Sequence, residues 1–175
     1  MGQQGFTLLE LIITLAVVAI LSAIALPGFD TFIRNNRLTT QANAFVSALS
    51  LARSEAIKRG SRVVVCKSAD GKQCSKNNGF EQGWIVFADS NNNATVDPSD
   101  EIIRVFAAMP VGMTLTGNRF ISDYISYTAD GINKSINNGP QDGTLTLCQE
   151  TGNPGRQIIV GRRGRVQVQT LASCP

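Results

Sequence analysis

The feature that most constrains this chain is a long apolar run near its N-terminus. Between residues 6 and 29 the only charged side chain is Glu10. A helix rises about 1.5 Å per residue, so this run would span about 36 Å and could cross a hydrocarbon layer of about 30 Å. A secretory signal would have a basic start and a shorter apolar segment followed by a cleavage site. The run therefore predicts a membrane-length helix that stays with the protein.

Glu10 is not explained by a plain membrane anchor. A lone carboxylate within lipid costs about 2.5–3.5 kcal/mol on insertion scales. Such a charge is kept when another group pairs with it, so we expect Glu10 to have a partner.

The segment G-F-T-L-L-E, residues 5–10, resembles the processing site of type IV pilins and type II secretion pseudopilins. The resemblance implies that residues 1–5 are a leader, which a prepilin peptidase removes between Gly5 and Phe6 before Phe6 is N-methylated. It also implies that Glu10 pairs with the free amine of a neighbouring subunit during assembly. Residues 6–29 would then be a membrane helix that becomes the filament core, and Pro27 matches the family's helix-kinking proline.

Apolar residues recur at helical spacing after residue 29, which predicts an amphipathic continuation of the helix over residues 30–60. Its apolar stripe begins with Phe29, Phe32 and Ile33 and is expected to lie on the domain that follows. Gly60 is placed to end the helix. The stretch R-S-E-A-I-K-R-G-S-R-V-V-V-C, residues 53–66, resembles the FimT/FimU and GspH branch, the H-type minor pilins.

Residues 61–175 are rich in β-branched segments separated by Gly, Asn and Pro, which predicts strands. Two of these segments, residues 83–89 and 101–106, flank an Asn/Asp loop and predict a hairpin. The expected fold class is α+β, with the long N-terminal helix packed on a mostly antiparallel sheet domain, as in pilins. Trp84 is expected in the core of this domain.

The chain has four cysteines and no histidine. Their spacing does not form the close pairs of a zinc site, and an even number beyond a membrane segment favours disulfides in an oxidising compartment. We prefer the pairing Cys66–Cys74 and Cys148–Cys174, which closes a short loop at Gly71 and ties down the C-terminal end. Two other pairings and four free thiols stay open.

The loop from Asp89 to Asp100 places oxygen-bearing residues at EF-hand spacing, which are Asp89, Asn91, Asn93, Thr95, Asp97 and Asp100. However, Ala94 replaces the glycine of position 6, an aspartate ends the loop, and no helix precedes it. The alternative is a hairpin loop whose Asx side chains cap their own backbone. Calcium stays open, and we assign no metal or cofactor to the chain.

Positive charge is concentrated at the C-terminal end, where residues 151–175 contain four arginines and no acid. Arg162, Arg163 and Arg165 surround Gly164 in a predicted turn, and Arg156 would extend the patch. Guanidinium groups suit phosphate. The string G-R-R-G-R resembles the C-terminal arginine motif through which FimT-like minor pilins bind DNA in natural transformation. A solvated turn and a contact with an acidic neighbour in the filament are the alternatives.

A catalytic triad or Cys-His pair is excluded because the chain lacks histidine, so we do not expect an enzyme. The sequence predicts an inner-membrane minor pilin whose β domain is periplasmic and then displayed on a type IV pilus. Its expected partners are other pilins, the prepilin peptidase and double-stranded DNA, bound without sequence preference. A GspH-like pseudopilin of type II secretion and a pilus-priming subunit without DNA binding are the alternatives.

Overall fold

The computed structural model of this chain describes residues 7–175, apart from the side chains of residues 23–28. Helix α1 extends from Leu8 to Arg59, so its helical backbone includes Pro27. It ends where Gly60 adopts a left-handed φ of 64°, the conformation expected of a glycine directly after a helix. The predicted processing pair, Gly5 and Phe6, lies outside the described residues.

The chain divides into two compact units, residues 1–37 and residues 38–175. In the first unit Phe29, Phe32 and Ile33 are exposed, by 61%, 67% and 46%. The expectation that the buried stripe starts at Phe29 is therefore wrong. In the second unit the helix buries a stripe at spacings of three and four, which consists of Leu38, Ala42, Phe45, Leu49, Ala52 and Ala56.

Eight strands follow the helix and form two antiparallel sheets. They are β1 (Val63–Lys67), β2 (Trp84–Ala88), β3 (Ile102–Phe106), β4 (Thr114–Gly117), β5 (Tyr124–Tyr127), β6 (Gly143–Cys148), β7 (Gly155–Val160) and β8 (Val166–Leu171). One sheet has the order β3-β2-β1-β5 and the other the order β4-β6-β7-β8. The α+β class and the predicted β2–β3 hairpin are confirmed, and the expected antiparallel β domain consists of these two sheets.

The main core lies between the helix from Leu38 onward and the apolar sides of both sheets. Trp84 is 1% exposed, which confirms its predicted place in the core. Its ring stacks on Phe106 with centroids 5.2 Å apart, and Phe45 meets it edge-on at 5.2 Å. Such aromatic pairs stabilise a core beyond the area they bury.

A second, smaller core lies on the opposite side of β1 and β2. It contains Val64, Cys66, Ile85 and Phe87 and is covered partly by Ala94 and Val96 of the loop after β2. Because this loop and the main core enclose both faces, all five residues of β1 are buried. The continuous run V-V-V-C therefore lacks the polar alternation of a strand with one solvated face.

Two disulfides connect the pairs that the sequence favoured. Cys66 joins Cys74 with Cα atoms 5.6 Å apart, and Cys148 joins Cys174 at 5.9 Å. The first fastens the segment after β1, and the second fastens the C-terminal end to the end of β6. Both bridges, both sheets and all buried apolar residues found in the described chain belong to residues 38–175. This unit therefore holds what it needs to fold by itself.

We expect a fragment of residues 34–175 to unfold in one cooperative transition in urea. Replacing Cys148 and Cys174 together by Ser should lower its free energy of unfolding by about 3–4 kcal/mol, because that bridge restrains a long loop of the unfolded chain. The matched double change at Cys66 and Cys74 should cost less, since its loop is shorter. Equal losses, or a fragment without a cooperative transition, would contradict this account.

Candidate functional site

The three clustered arginines lie in the tight turn between β7 and β8. Gly164 donates its backbone N–H to the carbonyl of Gly161 at 2.9 Å, and Gly161 donates to the carbonyl of Arg165 at 2.9 Å. Gly164 has a φ of 73°. This is a β-turn followed by a left-handed residue that forms a bulge, a common three-residue hairpin. The turn that the glycines predicted is present, with Arg162 and Arg163 at its tip.

Side chains from two other elements fix the base of this turn. The buried Asn133 accepts the N–H of Gly164 through Oδ1 at 2.7 Å. From the helix, Arg53 Nη1 donates to the carbonyl of Gly164 at 3.4 Å. A Cβ at Gly164 would lie 2.7 Å from the carbonyl oxygen of Gly131 and 2.9 Å from the ring of Tyr127. The turn is therefore held in a single close-packed position, and only glycine fits there.

All three arginines of the turn are exposed. Arg162, 74% exposed in its side chain, forms a surface ion pair with Asp142 at 3.3 Å. The side chains of Arg163 and Arg165 are also exposed and form no salt bridge with any residue that the structure describes. An exposed ion pair is worth less than about 1 kcal/mol, so Asp142 holds Arg162 weakly. The turn can thus present three positive groups to an anion.

Arg156 lies away from this cluster. It is the second residue of β7, whereas the turn follows the other end of that strand, which at about 3.3 Å per residue is roughly 20 Å away. Its guanidinium donates to the carbonyl of Gly155 at 3.0 Å and to Oγ1 of Thr39 at 3.3 Å. Arg156 therefore does not extend the turn cluster as a continuous patch.

Glu10 caps its own helix. Its carboxylate accepts the backbone N–H and the hydroxyl of Thr7, each at 3.2 Å, while the N–H of Glu10 donates to Oγ1 of Thr7 at 3.3 Å. This reciprocal arrangement is a capping box, in which Thr and Glu three residues apart satisfy unpaired N–H groups. The carboxylate also lies at the positive end of the helix dipole.

The helix that Glu10 caps has an unusual surface. Its large apolar side chains from Leu8 to Leu21 are all at least 50% exposed. A surface of this kind needs an apolar surrounding, because contiguous apolar patches of this extent are rare on monomeric soluble proteins. Among the described residues, no helix is both long and apolar enough to cross a membrane.

In the loop from Asp89 to Asp100, the acidic side chains bond to the loop itself. Asp89 is fully buried and accepts the N–H groups of Asn93 and Ala94, each at 3.0 Å. Asp97 accepts from the amides of Asn91 and Asn93. The described residues contain no group of three or more Asp, Glu, Cys or His side chains that could hold a metal ion. These contacts fit the Asx-capped alternative, and the loop covers the second core.

The fold and the N-terminal motif together define the type IV pilin-like class of filament subunits. Residues 1–26 match the prokaryotic N-terminal methylation motif, and residues 41–164 match the family described as type II transport protein GspH. The chain therefore belongs to the GspH family, whose members are structural pilin or pseudopilin subunits. Membership implies membrane-anchored assembly with other pilins or pseudopilins, and the methylation motif fits processing by a prepilin peptidase.

Individual relatives agree with this assignment. A fimbrial protein of Pseudomonas aeruginosa is 32% identical over 109 residues, which is 62% of this chain and 69% of that protein. The crystal structure of the type IV minor pilin FimU of P. aeruginosa has a TM-score of 0.58 at 21% identity, covering 82% of this chain and 99% of that one. The minor pseudopilin EpsH of Vibrio cholerae has a TM-score of 0.50 at 12% identity, covering 78% and 97%. The two structures show the shared fold.

Sequence reasoning missed the residues that hold the turn in place. Arg53 comes from the helix, and Asn133 follows β5 in the chain, so both approach Gly164 from far away in sequence. Asn133 is also buried, with its amide donating to the carbonyl of Gln141. The one available signal was Gly164 itself, because a glycine between arginines indicates a position where the backbone is approached closely.

We expect Gly164→Ala to lower the free energy of unfolding by more than about 1 kcal/mol, because alanine would have both a strained φ and close contacts there. Gly161→Ala is the matched control. A Cβ at Gly161 would meet only the carbonyl of Arg165, at 3.5 Å. Urea denaturation of the two variants should therefore separate them. Equal stability of both would show that the turn is not held as described.

Proposed function

We propose that this chain is a minor pilin of a type IV pilus that binds double-stranded DNA through the turn arginines. Residues 6–29 anchor the subunit in the inner membrane, with residues 61–175 in the periplasm, until the subunit enters the filament or its tip. The 32% identity to a fimbrial protein supports a pilus rather than a secretion filament. DNA held by the turn would serve uptake in natural transformation.

The observation that carries the DNA proposal is the geometry of Arg162, Arg163 and Arg165. Three exposed arginines follow one another around a turn that is held at its base, and one acid, Asp142, is in weak contact with Arg162. Arginine donors match phosphate oxygens in pairs, which favours the DNA backbone. The three arginines have no aromatic residue among them, so base stacking on single strands is not indicated.

Three phosphate contacts give weak binding that depends strongly on salt. For duplex DNA, log K falls by about 0.9 per contact for each decade of salt, which gives a slope of about −2.7 here. Several copies on one filament would raise the effective affinity by linking the contacts. Arg156 would add at most a separate contact, because it lies at the other end of β7 and already bonds to Thr39.

The test is binding of residues 34–175 to a mixed-sequence duplex, measured by fluorescence anisotropy over a salt series. We expect the triple change of Arg162, Arg163 and Arg165 to Gln to abolish most binding and remove most of the salt slope. Asp142→Asn should tighten binding severalfold, since it removes a competing negative charge beside Arg162.

The matched control is the triple change of Lys58, Lys72 and Lys76 to Gln, which removes the same charge from exposed positions elsewhere. It should retain a slope near the wild-type value and most of the affinity. An unaltered affinity in the arginine variant would refute DNA binding by the turn, and so would an equal loss in both triple variants.

Assembly is proposed to depend on the negative charge of Glu10, which pairs with the N-terminal amine of a neighbouring subunit. In the single chain this carboxylate caps its own helix, so Glu10→Ala would remove both roles at once. Glu10→Gln separates them, because glutamine at this position also completes a capping box but carries no charge.

Both Glu10 variants should insert into the membrane normally and be absent from sheared filaments. The measurement is immunoblotting of membrane and filament fractions from cells that express each variant in place of the wild-type chain. Normal incorporation of Glu10→Gln would show that the cap, not the charge, is what assembly requires.

The second candidate function is that of a minor pseudopilin in a type II secretion filament, and the GspH family match favours it. The two candidates predict different deletion phenotypes. Loss of a pseudopilin abolishes release of secreted proteins and leaves transformation intact, whereas loss of a DNA-binding pilin lowers transformation and leaves secretion intact.

A further inference from the structure

A groove of about 440 Å³ lies between the second half of the helix and the beginning of β8. Its apolar lining comes from Val46 and Leu49 of the helix and from Val166 of β8. Ile57 of the helix also lines the groove, and its side chain is 53% exposed. The volume is within the range of about 300–1,000 Å³ that is usual for ligand sites. The groove is distinct from the tip of the arginine turn, which carries Arg162 and Arg163.

Two arginines lie in the lining of this groove, Arg53 from the helix and Arg165 from the strand side, and the lining contains no acid. Neither arginine forms a salt bridge with a residue that the structure describes. Arg53 has one long bond, from Nη1 to the carbonyl of Gly164 at 3.4 Å. A guanidinium has five N–H donors, so both groups have donors left for an anion.

The acids that lie closest in sequence to the lining are already engaged. Glu55, next to Ser54, pairs with Arg59 at 2.7 Å and with Lys58 at 3.5 Å. Asp130 accepts from the hydroxyl of Thr128, from the N–H of Ile132 and from Lys134. These bonds, of which the one from the Thr128 hydroxyl contributes most, lower the pKa of the Asp130 carboxyl to about 2. Asp130 is therefore ionised and pairs with Lys134, and among the described residues it forms no salt bridge with either groove arginine.

A buried phenol adds a third polar group. Tyr127 contributes to the lining and is fully buried, and its hydroxyl oxygen has no hydrogen-bond partner among the described residues. Burial raises the pKa of Tyr127 to about 12, with the nearby charge of Arg53 opposing the rise. The phenol thus keeps its proton and can donate it. A buried polar group without a partner is unfavourable, and a bound acceptor would remove that cost.

We propose that this groove binds an aspartate or glutamate side chain of a neighbouring filament subunit, held between Arg53 and Arg165. The carboxylate accepts from the two guanidinium groups and from the hydroxyl of Tyr127. Apolar residues that flank the acid in the neighbour's chain rest on Val46, Ile57 and Val166.

A carboxylate fits this groove better than a phosphodiester does. The aliphatic stem of an acidic side chain and its apolar neighbours would fill walls made of Val and Leu, whereas a nucleic-acid backbone would bring further charge against them. A neighbouring subunit is the source because the chain belongs to a family that assembles with other pilins or pseudopilins. The inference therefore rests on family membership and does not depend on DNA binding by the turn.

The experiment follows amide chemical shifts of residues 34–175 during titration with the peptide acetyl-Leu-Glu-Leu-amide. We expect saturable shifts that are centred on Gly164, Tyr127 and residues 50–57. Arg53→Gln and Arg165→Gln should each weaken binding at least tenfold, because a hydrogen bond to a charged group is worth about 1.5–3 kcal/mol. Tyr127→Phe should weaken binding severalfold without lowering stability, since its hydroxyl has no partner to lose.

Two controls separate the groove from general charge attraction. The peptide acetyl-Leu-Gln-Leu-amide has the same shape without the charge and should produce no saturable shift. The double variant Arg162→Gln with Arg163→Gln removes charge from the turn tip, outside the groove lining, and should bind the glutamate peptide as the wild type does.

Several results would overturn the proposal. Equal binding of the two peptides would show that the carboxylate is not recognised. An equal loss in the turn-tip double variant would show diffuse attraction instead of a site. Hexanoate binding as tightly as the glutamate peptide would indicate a site for free amphiphilic acids and not for a neighbour's side chain.

Discussion

Both sheets of this protein bury their apolar sides against one apolar stripe of the helix, from Leu38 to Ala56. The rest of the structure depends on this shared packing surface. Phe45 shows the contact with the first sheet, because its ring centroid lies 5.2 Å from that of Trp84 in β2 and 5.0 Å from that of Phe80, which precedes β2. Leu145 and Ile158 of the second sheet belong to the same core. Two open four-stranded sheets do not close on each other as a barrel does, so each needs an element to cover its apolar face. The helix from Leu38 onward does this for both, and the turn and the groove follow from where the sheets meet it.

Local pattern determined much of this fold, and pairing over long distances determined the rest. The strands, the end of the helix at Gly60 and the favoured disulfide pairs follow from β-branched runs, turn residues and short spacings. The division into two sheets does not follow from local pattern, because β5 pairs with β1 and β4 pairs with β6. These strands are far apart in sequence, so no short segment contains both partners. Similarly, helical periodicity runs from Phe29 onward, while burial starts at Leu38. Periodicity reports which side is apolar and not what covers it.

The candidate site shows the same limit. Gly161 and Gly164 were sufficient to place a turn among the arginines, because glycine is the residue that a bulge with positive φ requires. Asp142, Asn133 and Arg53 were not foreseen, since each reaches the turn from a distant segment. The loop from Asp89 to Asp100 is ambiguous for a different reason. Oxygens spaced for calcium are also spaced to accept their own backbone N–H groups, and the sequence alone does not distinguish the two uses.

Arg165 belongs to both proposed interactions, which makes them antagonistic at one subunit. Its guanidinium can bond a phosphate outside the turn or a carboxylate in the groove, and one geometry excludes the other. Arg162 and Arg163 stand outside the groove lining, so a subunit whose groove is filled keeps two of its three phosphate contacts. Each phosphate contact contributes about 0.9 to the fall of log K per decade of salt. A subunit that has lost one contact therefore binds DNA more weakly and with less dependence on salt. A subunit at the end of a filament, with a groove left open on one side, would then hold DNA more tightly than one packed between neighbours.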